Sequence, residues 1–128
     1  MKPKLDLSIL PETLAVCRLN QDSQIPEWTL ENSTFFAITK TREELSIVCE
    51  QALVPEDIKA EKDWRAFKVE GPLDFSLTGI LADLSTPLAV ASLSIFAIST
   101  FDTDYILVKS NNLDQATQIL SQTCNILD

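Results

Sequence analysis

The chain is 128 residues long and 45% hydrophobic, with 19 acidic against 10 basic residues and a formal charge of −9. That length suits one compact domain or two small ones. The acidic balance repels phosphate backbones and anionic lipid, which argues against nucleic acid and membrane as partners. No apolar stretch reaches the ~20 residues of a membrane span.

There is no histidine. His-based metal sites and the Ser-His-Asp and Cys-His arrangements are therefore excluded. The three cysteines, Cys17, Cys49 and Cys124, are odd in number and far apart. Such usage argues against a disulfide framework and fits a reducing compartment. Cys17 and Cys49 sit in alternating apolar runs and read as small buried hydrophobes. The opening MKPKLDLSIL has no apolar core of signal-peptide length, so a cytoplasmic location is expected.

In chain order, Leu5 to Leu10 alternates apolar and polar and reads as a strand. Thr13 to Leu19 is a second strand after a turn at Pro11-Glu12. Gln21 to Ser33 is polar and reads as a loop or one helical turn. Phe35 to Thr41 is aromatic and β-branched, hence a strand. Thr41 to Glu44 has the spacing of a threonine-capped helical turn, and Leu45 to Glu50 is a further strand. Residues 51–63 are charged and contain Pro55, and the boundary between two halves, 1–60 and 61–128, is placed there.

Trp64 to Glu70 alternates cleanly and opens the second half. Leu81, Leu84, Leu88 and Ala91 fall on one stripe of a helix. Pro87 is expected to bend or restart it, since proline lacks an N–H and crowds the preceding turn. Ser94 to Thr100 and Asp104 to Lys109 form a strand pair. Leu113 to Gln122 is an amphipathic helix with Asn112 as its cap, and Cys124 onward closes as a short strand. The second half thus reads β-α-β-β-α-β, the ferredoxin-like order: an α+β fold with an antiparallel sheet and helices on one face. The first half is strand-rich and poor in helix.

The only two glycines, Gly71 and Gly79, lie within nine residues of each other. Gly71-Pro72 reads as a turn. Gly79 stands at a strand-to-helix junction. It either permits close helix–sheet packing or leaves helix N–H groups bare for a carboxylate or phosphate, with Ser76 and Thr78 as caps or extra donors. Asp102 and Asp104 flank the later hairpin turn. They are either a solvated tip, or Asp104 meets a cationic group. Most aromatics read as core, with Phe101 as a candidate pocket wall.

The segments PLDFSLTGILADLSTPLA and SLSIFAISTFDTDYILV, followed by a helix near NLDQA, resemble the ACT domain, a ligand-binding module of amino-acid regulation. More closely, the chain is similar to the CASTOR arginine sensors and their small bacterial relatives, and to the regulatory region of aspartate kinases. LDLSILPETLAVCRL and FFAITKTREELSIVCE follow the same family order, so the resemblance covers nearly the whole chain. It implies two tandem ACT units, the first degenerate, and a homodimer that binds a free amino acid at an ACT–ACT interface. It places Gly79 and Ile80 at the ligand carboxylate and Ser94 and Ile95 where the facing domain supplies main-chain contacts. Thr100 and Phe101 would line the pocket, with Asp104 toward the cationic end. Leu77 stands where arginine-binding sensors carry an acidic residue, and Asp74 replaces a glycine. Arginine and a smaller or more apolar amino acid are both candidate ligands.

The expected function is a non-catalytic amino-acid sensor. The alternative is a structural interaction module that has lost its ligand. Glu43, Glu44, Glu56, Asp57 and Glu61 are scattered surface carboxylates. No nucleophile–base pair, metal cluster or phosphate loop stands out, so no enzyme activity, cofactor or metal is expected.

Overall fold

The computed structural model describes residues 4–31, 33–71 and 79–127. The chain forms two compact units, Glu12–Trp64 and a second made of Met1–Pro11 with Arg65–Asp128. They are called here the inserted and the flanking unit, after their order in the chain. This differs from a division at 60/61. The first strand, β1 (Leu5–Ile9), belongs with the C-terminal residues, because Leu7 is fully buried in their core.

The inserted unit contains β2 (Leu14–Leu19), a single helical turn α1 (Glu27–Leu30), β3 (Phe36–Lys40), β4 (Leu45–Glu50) and a 3-10 turn (Gln51–Leu53). The first half of β5 (Ala60–Val69) completes it. The strand order is β3-β4-β2-β5. Taken in sequence order these are second, third, first and fourth, which is the ferredoxin-like arrangement with both crossover helices cut to a turn. Ala15, Cys17, Leu45, Ile47 and Cys49 form its core, with Trp28, Ile38 and Ile58 packed against them.

Three local expectations change here. The segment 51–63 is not all connector, because β5 starts at Ala60. Its pairing with β2 slips between Leu14 and Val16, where β5 carries an extra residue. Asp63 sits there at φ 69°, a region Asp tolerates better than most residues, and its N–H donates to Gln51 Oε1 at 2.6 Å. Thr41 does not start a helix. Its hydroxyl accepts from the Glu43 and Glu44 N–H groups, at 3.1 and 3.2 Å, and so closes the β3–β4 hairpin. Phe36 is 43% exposed rather than core.

The flanking unit runs β1, the second half of β5, α2 (Ile80–Val90), β6 (Ile95–Ser99), β7 (Asp104–Lys109), α3 (Leu113–Ser121) and β8 (Cys124–Leu127). The order is β6-β7-β5-β1-β8. This is the ferredoxin-like order with β1 intercalated between the first and last strands. β1 pairs antiparallel with β5 and parallel with β8. Leu7, Phe67, Val69, Leu84, Leu88, Ile106, Val108, Ala116 and Leu120 form one core between the sheet and the two helices.

Helix α2 runs through Pro87 without restarting. The proline lies in the last turn, so one backbone bond is lost near an end rather than mid-helix. Its buried stripe is Ile80, Leu84 and Leu88; Leu81 is 37% exposed. The helix ends in a Schellman motif: the Leu93 N–H donates to the Leu88 carbonyl and the Ser92 N–H to that of Ala89, with Ser92 at φ 62°. Asn112 does occupy the N-cap position of α3, but its side chain makes no capping bond.

All three cysteines are buried and free. A hydrogen bond with the neighbouring Cys17, and then burial, push the Cys49 thiol far above the ordinary thiol range, and burial raises that of Cys124. Native protein at pH 8 is therefore expected to leave Cys49 and Cys124 unlabelled by a thiol reagent until urea unfolds it. Rapid native labelling of either would contradict the packing. Leu88→Ala should cost ~2–5 kcal/mol in urea unfolding, as a fully buried leucine truncated to a cavity does. Val90→Ala, at a residue 80% exposed, should shift stability by ~0.5 kcal/mol or less.

Candidate functional site

The resemblance-derived residues all lie in the flanking unit, at two ends of its sheet. Gly79 is the N-cap of α2 at φ 81°, ψ 0°, the left-handed region that glycine enters without steric cost. Gly79 has no side chain with which to cap the helix, so the N–H groups of the first turn receive no bond from the N-cap residue. Ile80 begins the helix and packs against the core. Ser76 and Thr78, expected as caps, lie outside the described residues, as do Asp74 and Leu77.

Strand pairing fixes the other positions. Ile95 faces Val108 across the β6–β7 hairpin and Ser99 faces Asp104. Ile95 and Asp104 are therefore at opposite ends, about 13 Å apart along the strands. Ser94 is exposed just ahead of β6. Helix α2 packs on β6 and β7, and its last residue, Val90, lies just before β6 begins. Its 11 residues span about 16 Å, which carries Gly79 back to the hairpin-turn end.

Alternation along the strands sorts the side chains by face. Ile106 and Val108 belong to the core under the helices. Asp104, two residues before Ile106, shares their face, and so does its partner Ser99. The Ser99 hydroxyl donates to the Asp104 carboxylate at 2.6 Å. One protomer thus brings together Gly79, Ile80 and Asp104 at one end and on one face, with Thr100 and Phe101 in the adjoining turn. It does not bring Ser94 and Ile95 to them. Phe101 is 80% exposed within a single chain.

The turn itself is rigidly held. The Thr100 N–H and hydroxyl both donate to the Thr103 carbonyl, at 2.8 and 3.1 Å, and the Thr103 N–H returns to the Thr100 hydroxyl at 3.3 Å. Thr103 is buried, and its hydroxyl donates to the Val69 carbonyl at 2.5 Å, which ties the turn to the end of β5.

A cavity of about 220 Å³ opens beside this turn, lined by Lys68, Gly71, Thr100, Asp102, Thr103 and Tyr105. Lys68 alternates with the core residues Phe67 and Val69, and Tyr105 with Ile106, so the cavity lies on the face away from the helices. Of the expected site residues only Thr100 touches it. Lys68 and Tyr105 had not stood out as site residues in the sequence. Alternation gave no polar signal for them, because Ala66 on β5 and Leu107 on β7 share their face and are fully buried.

A family model described as ACT domain matches residues 59–122, and a second, for an N-terminal domain, matches residues 12–57. The human protein named cytosolic arginine sensor for mTORC1 subunit 1 is 33% identical over a 97-residue alignment that covers 70% of this chain and 30% of that protein. The matched part thus spans under a third of that curated relative. A solved protein of Agrobacterium tumefaciens is 36% identical, with a TM-score of 0.91, over 98% of this chain and 94% of its own. The regulatory subunit of aspartate kinase from Thermus thermophilus shares the fold at 9% identity, with a TM-score of 0.61 over 91% of this chain and 95% of its own.

Gly79→Ala should destabilise the protein by roughly 1–2 kcal/mol, the cost of a Cβ in the left-handed region. Thr103→Val should cost about 1–3 kcal/mol by leaving the Val69 carbonyl unpaired. Urea unfolding reads both, and unchanged midpoints would contradict the geometry of this end of the sheet.

Proposed function

Because the chain belongs to the ACT domain family, we propose that it is a regulatory sensor, without catalytic activity, that binds a free amino acid between two copies of itself. Residues 61–128 act as the ACT domain proper, and 1–60 supply a reduced companion domain and the strand β1. The observation that carries this reading is the separation of Gly79 and Asp104 from Ser94 and Ile95 within one copy. Among the described residues, strand β6 is the edge of its sheet. A second copy pairing antiparallel to it about a two-fold axis at Ala97 would set Ser94 of one chain opposite Thr100 of the other. The two half-sites then meet, twice per dimer.

Surface chemistry supports that pairing. β6 and the residues from Leu84 to Phe101 carry no charge. Beside the edge, α2 exposes Leu81, Ala82, Ala89 and Val90, with Asp83 its single charged residue. Uncharged edges invite pairing, and apolar helix faces seek cover. In the assembled site the first-turn amides of α2 would take the ligand carboxylate, whose charge the helix N-terminus favours. Asp104 would take a cationic group. A ligand shared by two chains stabilises their association by mass action.

The curated relative's name supports an amino-acid ligand and a cytosolic setting; no helix among the described residues is long and apolar enough to cross a membrane. A second reading is an interaction module without a ligand. It draws on the Ser99–Asp104 bond, which already satisfies part of the carboxylate.

Calorimetry of the full chain against the twenty amino acids separates the two. At least one should bind more tightly than millimolar. Asp104→Asn should weaken that binding about tenfold or more, as loss of a charge-assisted hydrogen bond does. If no amino acid binds more tightly than millimolar, the sensor reading fails and the module reading stands.

A further inference from the structure

We propose that the cavity on the helix-free face of the flanking unit is a second ligand site, built to hold a small zwitterion with its ammonium on Asp102 and its carboxylate on Lys68. The site does not rest on the interface reading: its lining residues come from one copy, Lys68 and Tyr105 lie on the opposite face of the sheet, and Thr100 in the turn is the one residue the two sites share.

The charges decide the ligand class. Lys68 lies 3.4 Å from Glu70, and each side chain is about a third exposed (35% and 33%). Glu70 is itself fixed from the other side, since the Ser8 hydroxyl donates to it at 2.8 Å. That bond, more than Lys68, holds the Glu70 carboxyl below its ordinary range. An exposed ion pair of this kind is weak, so the Lys68 ammonium keeps donors for a ligand while Glu70 limits where it swings. Asp102 lines the same cavity, and among the described residues it has no hydrogen-bond or ion-pair partner.

A simple anion could pair with Lys68 but would meet Asp102 and Glu70 on a chain of charge −9. A simple cation could pair with Asp102 but would meet Lys68. A zwitterion satisfies both poles and adds no net charge. The hydroxyl groups of Thr100 and Tyr105 supply further polar lining. About 220 Å³ is below the ~300–1,000 Å³ of pockets for drug-sized ligands, which excludes nucleotides and favours a molecule of a few carbons. The floor is already ordered by the Thr100–Thr103 bonds and the Thr103–Val69 bond, so little conformational freedom is lost on binding.

The test is a titration of the isotope-labelled full chain with glycine, β-alanine and γ-aminobutyrate, followed by amide NMR. These probes space ammonium from carboxylate by one, two and three carbons. One member should bind best and shift the amides of Lys68, Gly71, Asp102 and Tyr105. Lys68→Met and Asp102→Asn should each weaken it about tenfold or more, with the rest of the spectrum unchanged. Asp104→Asn should leave it intact. The proposal is overturned if no probe shifts these amides at 50 mM added ligand. It is equally overturned if acetate or methylammonium alone shifts them as well as the best zwitterion. Shifts centred on Gly79, Ser94 and Asp104 instead would assign the ligand to the interface site and remove it from this cavity.

Discussion

The edge of the flanking unit is the constraint on which its other features depend. Among the described residues β6 has one hydrogen-bonded neighbour, β7, and the strand itself carries no charge, proline or bulge to discourage pairing on its other side. Edge strands of monomeric proteins are usually blunted by such devices. Here the adjoining helix adds exposed apolar residues instead. Much of α2 makes sense on that basis. It is apolar on its outer side as well as toward Ile106 and Val108, and it tolerates Pro87 because the proline falls in a terminal turn. Its start and end are both set by positive φ, at Gly79 and Ser92.

The same end of the sheet offers two chemically different surfaces. On the helix side stand the N-terminus of α2 and a carboxylate held by Ser99. On the other side stand Lys68, Asp102 and Tyr105 around a cavity. The turn from Thr100 to Thr103 separates them, and the Thr103–Val69 bond fixes its height relative to β5. A movement of that turn would be felt on both faces. Occupation of one site could therefore bias the other, provided the turn has two arrangements that the ligands distinguish.

Much of the fold was legible because strand alternation and helix stripes are strong signals. β4 and β7 fall where the apolar runs place them, and the β-α-β-β-α-β order of the second half is read directly. What escaped has particular causes. The Schellman stop at Ser92 uses serine at positive φ, where a sequence reader looks for glycine. The early start of β5 was hidden by Glu61, Lys62 and Asp63, charged residues that are exposed on that strand. β1 pairs with residues 67–69 and 124–127, and such long-range register leaves no local trace. Leu81 fits the helical stripe by spacing, yet Ile80 takes the core position beside it. At the candidate site, the resemblance supplied Gly79 and Asp104. It did not indicate Lys68 or Tyr105, which are visible only once the faces of β5 and β7 are known.

The central claim is that two copies join through β6. Spin labels at the exposed positions Ser94, Ala97 and Thr100, one per variant, test it by electron–electron distance measurement. The account predicts the shortest pair distance at Ala97. Pairs at Ser94 and at Thr100 should each be longer by about 20 Å along the strand direction, while a mixed dimer labelled at Ser94 on one chain and Thr100 on the other should again be short. An absence of dipolar coupling at all three positions, or distances that do not pass through a minimum within β6, would contradict it.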